Sequence, residues 1–393
     1  MQRTGQLRLD GPQTGVDNRV EGRIRELDGW RAVSVVLVLL HHLFSIQYYN
    51  VLRNVHLLFH VFGMCGFLGV DTFFVISGFV ICRLLILEEQ RYGSISLRGF
   101  YCRRIFRILP PLYLYLAALV VLRLTGVINE NWVPIALGAS FLYDLSFVPQ
   151  GWYVSHMWSL AVEEQFYLLC PLLLLLCRPR RRGRVFGCLF ALCIAWNLVL
   201  PLLGEPNPVI DSRTRAGFAC ICFGVLTAIY EQRARSIAVR TSGWMVAALA
   251  FILLLHPVPQ GRVNEALFSA IFTPFAIALI LTYSLEHNGW LKVLLCAKPI
   301  QSVGITSYGV YLWQQIFTGP LVIYSGAGAI IPYLLPALIA IVPISYFVVE
   351  KPAMRLGKSL SAAVQSKRRL PEQRAEAVAS IPHDLILPAK RTP

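Results

Sequence analysis

The sequence is poor in charge. Only 15% of its 393 residues are Asp, Glu, Lys or Arg, while 56% are hydrophobic and the mean hydropathy is +0.59. A soluble domain of this length carries about 25% charged and ~45–50% apolar residues, so a large water-soluble core is excluded. Metal-ligand spacing is also missing. Cys220 and Cys222 stand two apart with no histidine pair beside them, which excludes a recognisable metal motif. Most of the ten cysteines, among them Cys65, Cys82, Cys170 and Cys193, sit in or beside apolar runs, where a free thiol behaves as a small hydrophobe. No repeat recurs at a fixed period, which argues against a transporter built from inverted halves. Residues 1–22 contain no apolar run, so no cleavable signal peptide is expected.

What is present is a series of long apolar segments between about residues 31 and 349. Candidate spans fall at 31–49, 60–87, 105–124, 155–176, 185–203, 214–230, 242–256, 265–285, 302–324 and 328–349. Each is near the ~20 residues needed to cross ~30 Å of hydrocarbon. The net charge of +15 does not indicate a nucleic-acid partner, because the basic residues lie at the edges of apolar segments instead of forming one patch. Their distribution sets the topology. With the N-terminus in the cytoplasm and 132–148 not crossing, 30 Lys/Arg fall inside and five outside, as the positive-inside rule requires. If 132–148 crossed, the run Arg178, Arg180, Arg181, Arg182, Arg184 would lie outside. The expectation is an all-α, polytopic transmembrane bundle of about ten spans with both termini cytoplasmic. The 132–148 segment becomes a re-entrant or interfacial element on the outer side. Residues 27–356 form one membrane domain, flanked by disordered tails at 1–26 and 357–393 that are polar and lack an apolar face.

An ionisable group inside a span costs about 2.5–3.5 kcal/mol on insertion scales, so each is a functional candidate. In LDGWRAVSVVLVLLHH, Arg31 and His42 are eleven residues apart. That is close to three turns, which puts them on one face with His42 ~16 Å deeper. Neutral imidazole suits proton removal from a hydroxyl near pH 7; the structural alternative is an arginine that snorkels and histidines that satisfy neighbouring backbone. His41 lies off that face. In RRIFRILPPLY, Arg104 and Arg107 share a face at a cytoplasmic entrance. Their forks suit the phosphate oxygens of a cytosolic donor, although positive-inside anchoring also accounts for them. Pro110 and Pro111 are expected to kink this helix and open a pocket. In HMWSLAVEEQFYLLCP, His156, Ser159 and Glu163 form one stripe, with Glu164 pointing elsewhere. The stripe is read either as a His–acid arrangement or as a hydrogen-bond cluster between helices. In GFLGVDTFFVISGF, Gly66, Gly69 and Gly78 suit close helix approach, and Asp71 is a weaker candidate for lining an acceptor path.

Taken together and in order, these elements resemble the membrane acyltransferase family 3, typified by bacterial O-antigen and exopolysaccharide O-acetyltransferases. The resemblance runs from about Leu27 to Pro352. It is carried by Arg31 and His42 (Arg-x10-His), Arg104 and Arg107 (Arg-x-x-Arg), and Ser159 to Glu163 with His156, Gln165, Tyr167 and Pro171. LDGWR, GVDTFFVISGF, SYGVYLW and VEKP add to it. It implies an acyl-CoA donor, usually acetyl-CoA, with no metal. The implied acceptor is a hydroxyl of a saccharide or lipid-linked molecule at the lipid bilayer, and the implied location is the bacterial inner membrane. One departure is Gln314, where members of the family often have His after Trp, so any role of that His is absent or replaced. No appended esterase-like domain is expected after the last span. On this reading Arg31, Arg104 and Arg107 hold the donor's phosphates and His42 is the general base. Glu163 orients His42 or stabilises its imidazolium, and Ser159 and His42 are the possible acyl carriers. The rival reading is a secondary transporter or flippase whose pathway the same residues line; it would consume no acyl-CoA.

Overall fold

The computed structural model describes residues 24–47, 56–145, 151–203, 208–255, 267–318 and 331–364. The expected disordered tails fall outside these residues apart from 24–26 and 357–364, of which 25–26 open the first helix and 357–364 continue the last. Among the described residues the chain is helical, with no strand.

Fourteen α-helices with defined bounds run along the described residues. They begin with α1 (Arg25–Gln47), α2 (His56–Tyr92), α3 (Leu97–Leu124) and the short α4 (Trp132–Ala139). Next come α5 (Met157–Leu176), α6 (Pro179–Leu203), α7 (Pro208–Ile229), α8 (Glu231–Arg240) and α9 (Gly243–Leu255). The rest are α10 (Thr273–Glu286), α11 (Trp290–Leu295), α12 (Lys298–Ile305), α13 (Ser307–Phe317) and α14 (Ile331–Ser345). A π turn, Phe268–Phe272, leads into α10. A second, Tyr346–Glu350, follows α14, and helix then continues through 351–364.

Among the described residues, six helical stretches are long and apolar enough to cross a membrane, or seven if the pair α8–α9, bent by 105°, is taken as one. These six coincide with six of the ten expected spans. Their outer faces suit lipid: Leu168 and Leu176 on α5 are 58% and 80% exposed, an arrangement that water would penalise and hydrocarbon does not. Two segments differ in detail from the sequence expectation. The expected span 302–324 is broken at Thr306 into α12 and α13, where the Thr306 hydroxyl bonds back to the Ser302 carbonyl at 3.0 Å. Helix α9 has 13 residues, about 20 Å of rise, and begins at the sharp bend. Helix α4 has eight, about 12 Å, too few to cross; Asn131 caps it by accepting the Val133 N–H at 3.2 Å.

Helix α2 is packed between α1 and α7, and glycine sets both distances. A Cβ on Gly69 would come within 2.5 Å of the Ser34 carbonyl oxygen on α1. On the other side Gly78 and Gly224 face each other's helices: a Cβ on Gly78 would overlap the Ile221 carbonyl, and one on Gly224 the Val75 carbonyl. Small residues that let backbones approach are how helices associate in lipid, where apolar surface gains nothing by leaving the hydrocarbon. The apolar interior forms two clusters. The larger joins α1, α2, α5, α7 and α10 around Val35, Ile76, Val162, Ile221 and Ile277. The second gathers Leu112, Tyr115, Met157, Leu312 and Val342 from α3, α5, α13 and α14.

Candidate active site

Where the two clusters meet, the chain leaves a cavity of about 720 Å³, counting its open mouth. Its walls come from α1, α2, α3, α5 and α13, and its polar lining is Arg31, Ser77, Arg104, Arg107, Ser159, Glu163, Tyr167, Ser307, Tyr308 and Tyr311. Five of the eight residues singled out in the sequence therefore share one space: Arg31, Arg104, Arg107, Ser159 and Glu163. The other three, His42, His156 and Asp71, do not line it.

The arginine side is built by α1 and α3. Arg31 Nη1 bonds Asp28 Oδ1 at 3.1 Å, one helical turn below it. Arg104 lies over the Tyr167 ring, 4.8 Å from its centroid, and over Phe100 at 5.7 Å. Among the described residues, no hydrogen bond or ion pair engages the guanidinium of Arg104 or Arg107. Pro110 and Pro111 follow within the same helix and remove the donors that would bond the Phe106 and Arg107 carbonyls. Two cations with unused donors facing a cavity are suited to an anion that accepts forked hydrogen bonds.

The carboxylate of Glu163 faces these arginines and accepts from the Ser77 and Tyr167 hydroxyls. It is not joined to His42, contrary to the expected His–acid pair. His42 Nδ1 lies 3.0 Å from the Val38 carbonyl oxygen. A carbonyl only accepts, so Nδ1 carries the proton and the neutral ring keeps its lone pair on Nε2. The His42 ring stands edge-on to Trp152 at 5.9 Å and is within electrostatic range of His156. His41 packs on α2 instead, against Phe67 at 5.1 Å and over Gly66, where a Cβ would sit 2.5 Å from the histidine's Cβ.

Farther along α5 from Glu163, the Ser159 hydroxyl lies 2.5 Å from the Tyr311 hydroxyl. His156 follows, 3% exposed, with its ring 5.6 Å from Tyr115 and 5.4 Å from Tyr311. Neither of its ring nitrogens has a hydrogen-bond partner among the described residues. Trp152 is held by Gln315, whose Nε2 donates to the Trp152 carbonyl at 2.8 Å while Trp152 Nε1 donates to the Gln315 carbonyl at 3.2 Å. Glu130 fixes the same turn by accepting the Tyr153 N–H at 3.2 Å. Gln314, at the departure noted in the sequence, is fully buried and its amide has no partner among the described residues. Asp71 belongs to a separate group on α2 and α7 with Arg213 and Cys220. No cluster able to hold a metal occurs among the described residues.

Asp28, Ser77, Tyr167, Tyr308, Tyr311, Glu130 and Gln315 complete this picture without having been assigned roles from sequence. Tyr308 and Tyr311 stand in SYGVYLW with one turn between them, and that spacing is the only signal that could have placed both on one face.

A sequence model for the acyltransferase 3 domain matches residues 24–350. The chain belongs to the acyltransferase 3 family. Its curated relatives include the O-acetyltransferase OatA of Staphylococcus aureus strains NCTC 8325 / PS 47, COL and MRSA252, each 27% identical over 381 residues. Each alignment covers 87% of this chain and 59% of the relative, so the chain spans about three fifths of the length of these proteins. No solved structure is a significant match. The family's domain thus covers all the helices that build the cavity, from α1 through α13.

Proposed function

We propose that the protein is a membrane O-acyltransferase that moves an acyl group, acetyl in the first instance, from cytoplasmic acyl-CoA to a hydroxyl acceptor. The single observation that carries this reading is the cavity lined by Arg104 and Arg107, whose guanidinium donors are unused among the described residues, together with the serine and tyrosine hydroxyls of its wall. Similarity to proteins named O-acetyltransferase OatA supports it. Arg31, Arg104 and Arg107 bind the donor's phosphates. Glu163, bonded to Ser77 and Tyr167, is the counter-charge that holds this cluster of cations in a membrane-embedded site.

In the reaction, His42 Nε2 takes the proton of the acceptor hydroxyl, whose oxygen attacks the thioester carbonyl carbon. Collapse of the tetrahedral intermediate breaks the C–S bond, and the leaving thiolate takes the proton from His42, which returns to its neutral form. Trp152 and His156 flank His42 and shape the acceptor's approach. The acceptor is a saccharide or lipid-linked hydroxyl, and the enzyme works in a bacterial inner membrane with ten crossings and both termini in the cytoplasm.

The test is turnover by purified, lipid-reconstituted protein given radiolabelled acetyl-CoA and a panel of saccharide and lipid-linked acceptors. Release of free CoA matched by label on an acceptor is expected. Acceptor movement across the bilayer with no consumption of acetyl-CoA would replace this reading with a transporter.

A further inference from the structure

Three tyrosine hydroxyls reach the cavity wall, and two of them are committed. The Tyr167 hydroxyl donates to Glu163. The Tyr308 hydroxyl donates to the Ile108 carbonyl at 3.0 Å, just before the double proline of α3. Tyr311 differs. Its hydroxyl lies 2.5 Å from Ser159 Oγ, and both hydroxyls reach for one carbonyl, that of His156, at 3.1 and 3.0 Å. Three close contacts are thus served by two protons, so one contact always lacks its hydrogen. The shared carbonyl belongs to the residue that caps α5, and a cap carbonyl already accepts the first bond of its helix. Releasing a hydroxyl from it therefore strands no backbone group.

Position adds to this. Ser159 is four residues along α5 from Glu163, about 6 Å, on the side toward His156 and His42. The pair stands between the arginine cluster and the two histidines. A donor held by its phosphates on the arginines has to bring its thioester along this wall to reach His42.

We infer that the Ser159 and Tyr311 hydroxyls form the oxyanion site of the transfer reaction, with Tyr311 a catalytic residue. This rests on the acyltransferase reading above. As the acceptor oxygen adds to the thioester carbon, the carbonyl π pair moves onto its oxygen. The two hydroxyls turn from the His156 carbonyl and donate hydrogen bonds to that oxyanion. The pair returns to re-form C=O as the C–S bond breaks, so neither hydroxyl loses its proton. Only the two O–H bonds rotate while the oxygens stay in place, so the donors are positioned ahead of the reaction, and removal of one such donor lowers turnover by about 10²–10³-fold.

The experiment compares wild type, Tyr311→Phe, Ser159→Ala and the double variant in reconstituted protein, measuring kcat, KM for acetyl-CoA, and binding of free CoA. Each single variant is expected to lose about 10²–10³-fold in kcat while CoA binding stays within about twofold. The double variant is expected to be little slower than either single one, because the hydroxyls act as a unit. A role in helix packing alone would lower folded yield and CoA binding together. If wild type turns over and Tyr311→Phe keeps more than about half its rate, the inference is overturned and the acyltransferase reading stands. If Tyr311→Phe does not fold, Ser159→Ala decides by the same criterion. Label trapped covalently on Ser159 would assign that hydroxyl to acyl carriage and overturn the pair. A wild type that consumes no acetyl-CoA in any acceptor mixture overturns both readings.

Discussion

His42 Nδ1 lies 3.0 Å from the carbonyl oxygen of Val38, its own residue i−4, and this bond fixes which nitrogen is free to act as a base. His41, one residue earlier, is turned the other way and wedged over Gly66 on α2. Adjacent histidines on one helix thus have opposite surroundings: one ring packs between helices, and the other stands beside Trp152 and His156 with no partner on Nε2 among the described residues.

The two substitutions should separate cleanly. His42→Gln should abolish transfer while leaving insertion and CoA binding intact, since loss of a general base costs about 10²–10⁴-fold. His41→Gln should retain most activity, with any defect appearing as lower thermal stability in detergent. The assay is acetyl-CoA turnover alongside a thermal unfolding curve for each variant. An essential His41 with a dispensable His42 would mean that the catalytic face of α1 is the α2 side.

Arg107→Ala should raise the apparent KM for acetyl-CoA with little change in folded yield. One lost charge-assisted hydrogen bond is worth about 1.5–3 kcal/mol, roughly ten- to more than a hundred-fold. Arg107→Lys should recover only part of this, because an ammonium cannot reproduce the fork. An unchanged KM in Arg107→Ala would return the residue to topological anchoring.

Much of this arrangement can be read from the sequence because helical spacing is a local property. Arg104 and Arg107 three apart, and Ser159 and Glu163 four apart, share faces whatever the rest of the fold does, and all four line the cavity. Partner choice is a tertiary property and is not legible in this way. The sequence allowed Glu163 to pair with His42, yet Ser77 and Tyr167 bond it, one of them 86 residues away in the chain. The break at Thr306 was hidden for a related reason. Hydropathy averages over a whole apolar run, whereas the break is confined to one residue, Thr306, between two helices.

Topology can be tested at the basic first turn of α6. Arg182 there bonds Glu89 at 2.5 and 2.8 Å and also the Leu174 carbonyl, tying the end of α2 to this turn. A reporter inserted after Arg182 should read cytoplasmic, and one within 205–212 should read external. Reversed signals would mean that 132–148 crosses the bilayer and that the count of ten is wrong.

The last prediction concerns the crossing of α2 and α7, on which the cavity wall depends because Ser77 lies beside Gly78. A Cβ on Gly224 would overlap the Val75 carbonyl, a backbone atom that no rotamer change can move aside. Gly224→Ala should therefore push the helices apart and destabilise the protein by about 1–3 kcal/mol, the usual range for overpacking. Activity should fall as well, because moving α2 shifts Ser77 away from Glu163. Gly187 on α6 provides the control. It too lies within a helix, but a Cβ there meets nothing within 4 Å. Gly187→Ala should be neutral or gain about 0.4–1 kcal/mol, because alanine lowers the conformational entropy of the unfolded chain without strain at a helical position. Both variants exchange glycine for alanine inside a helix, so intrinsic propensity favours each equally, and any difference between them reports the contact alone. Thermal unfolding in one detergent, with turnover measured on the same samples, gives the comparison. If Gly224→Ala proves as stable as Gly187→Ala, α2 and α7 are not in backbone contact at this crossing, and the placement of Ser77 against Glu163 loses its support.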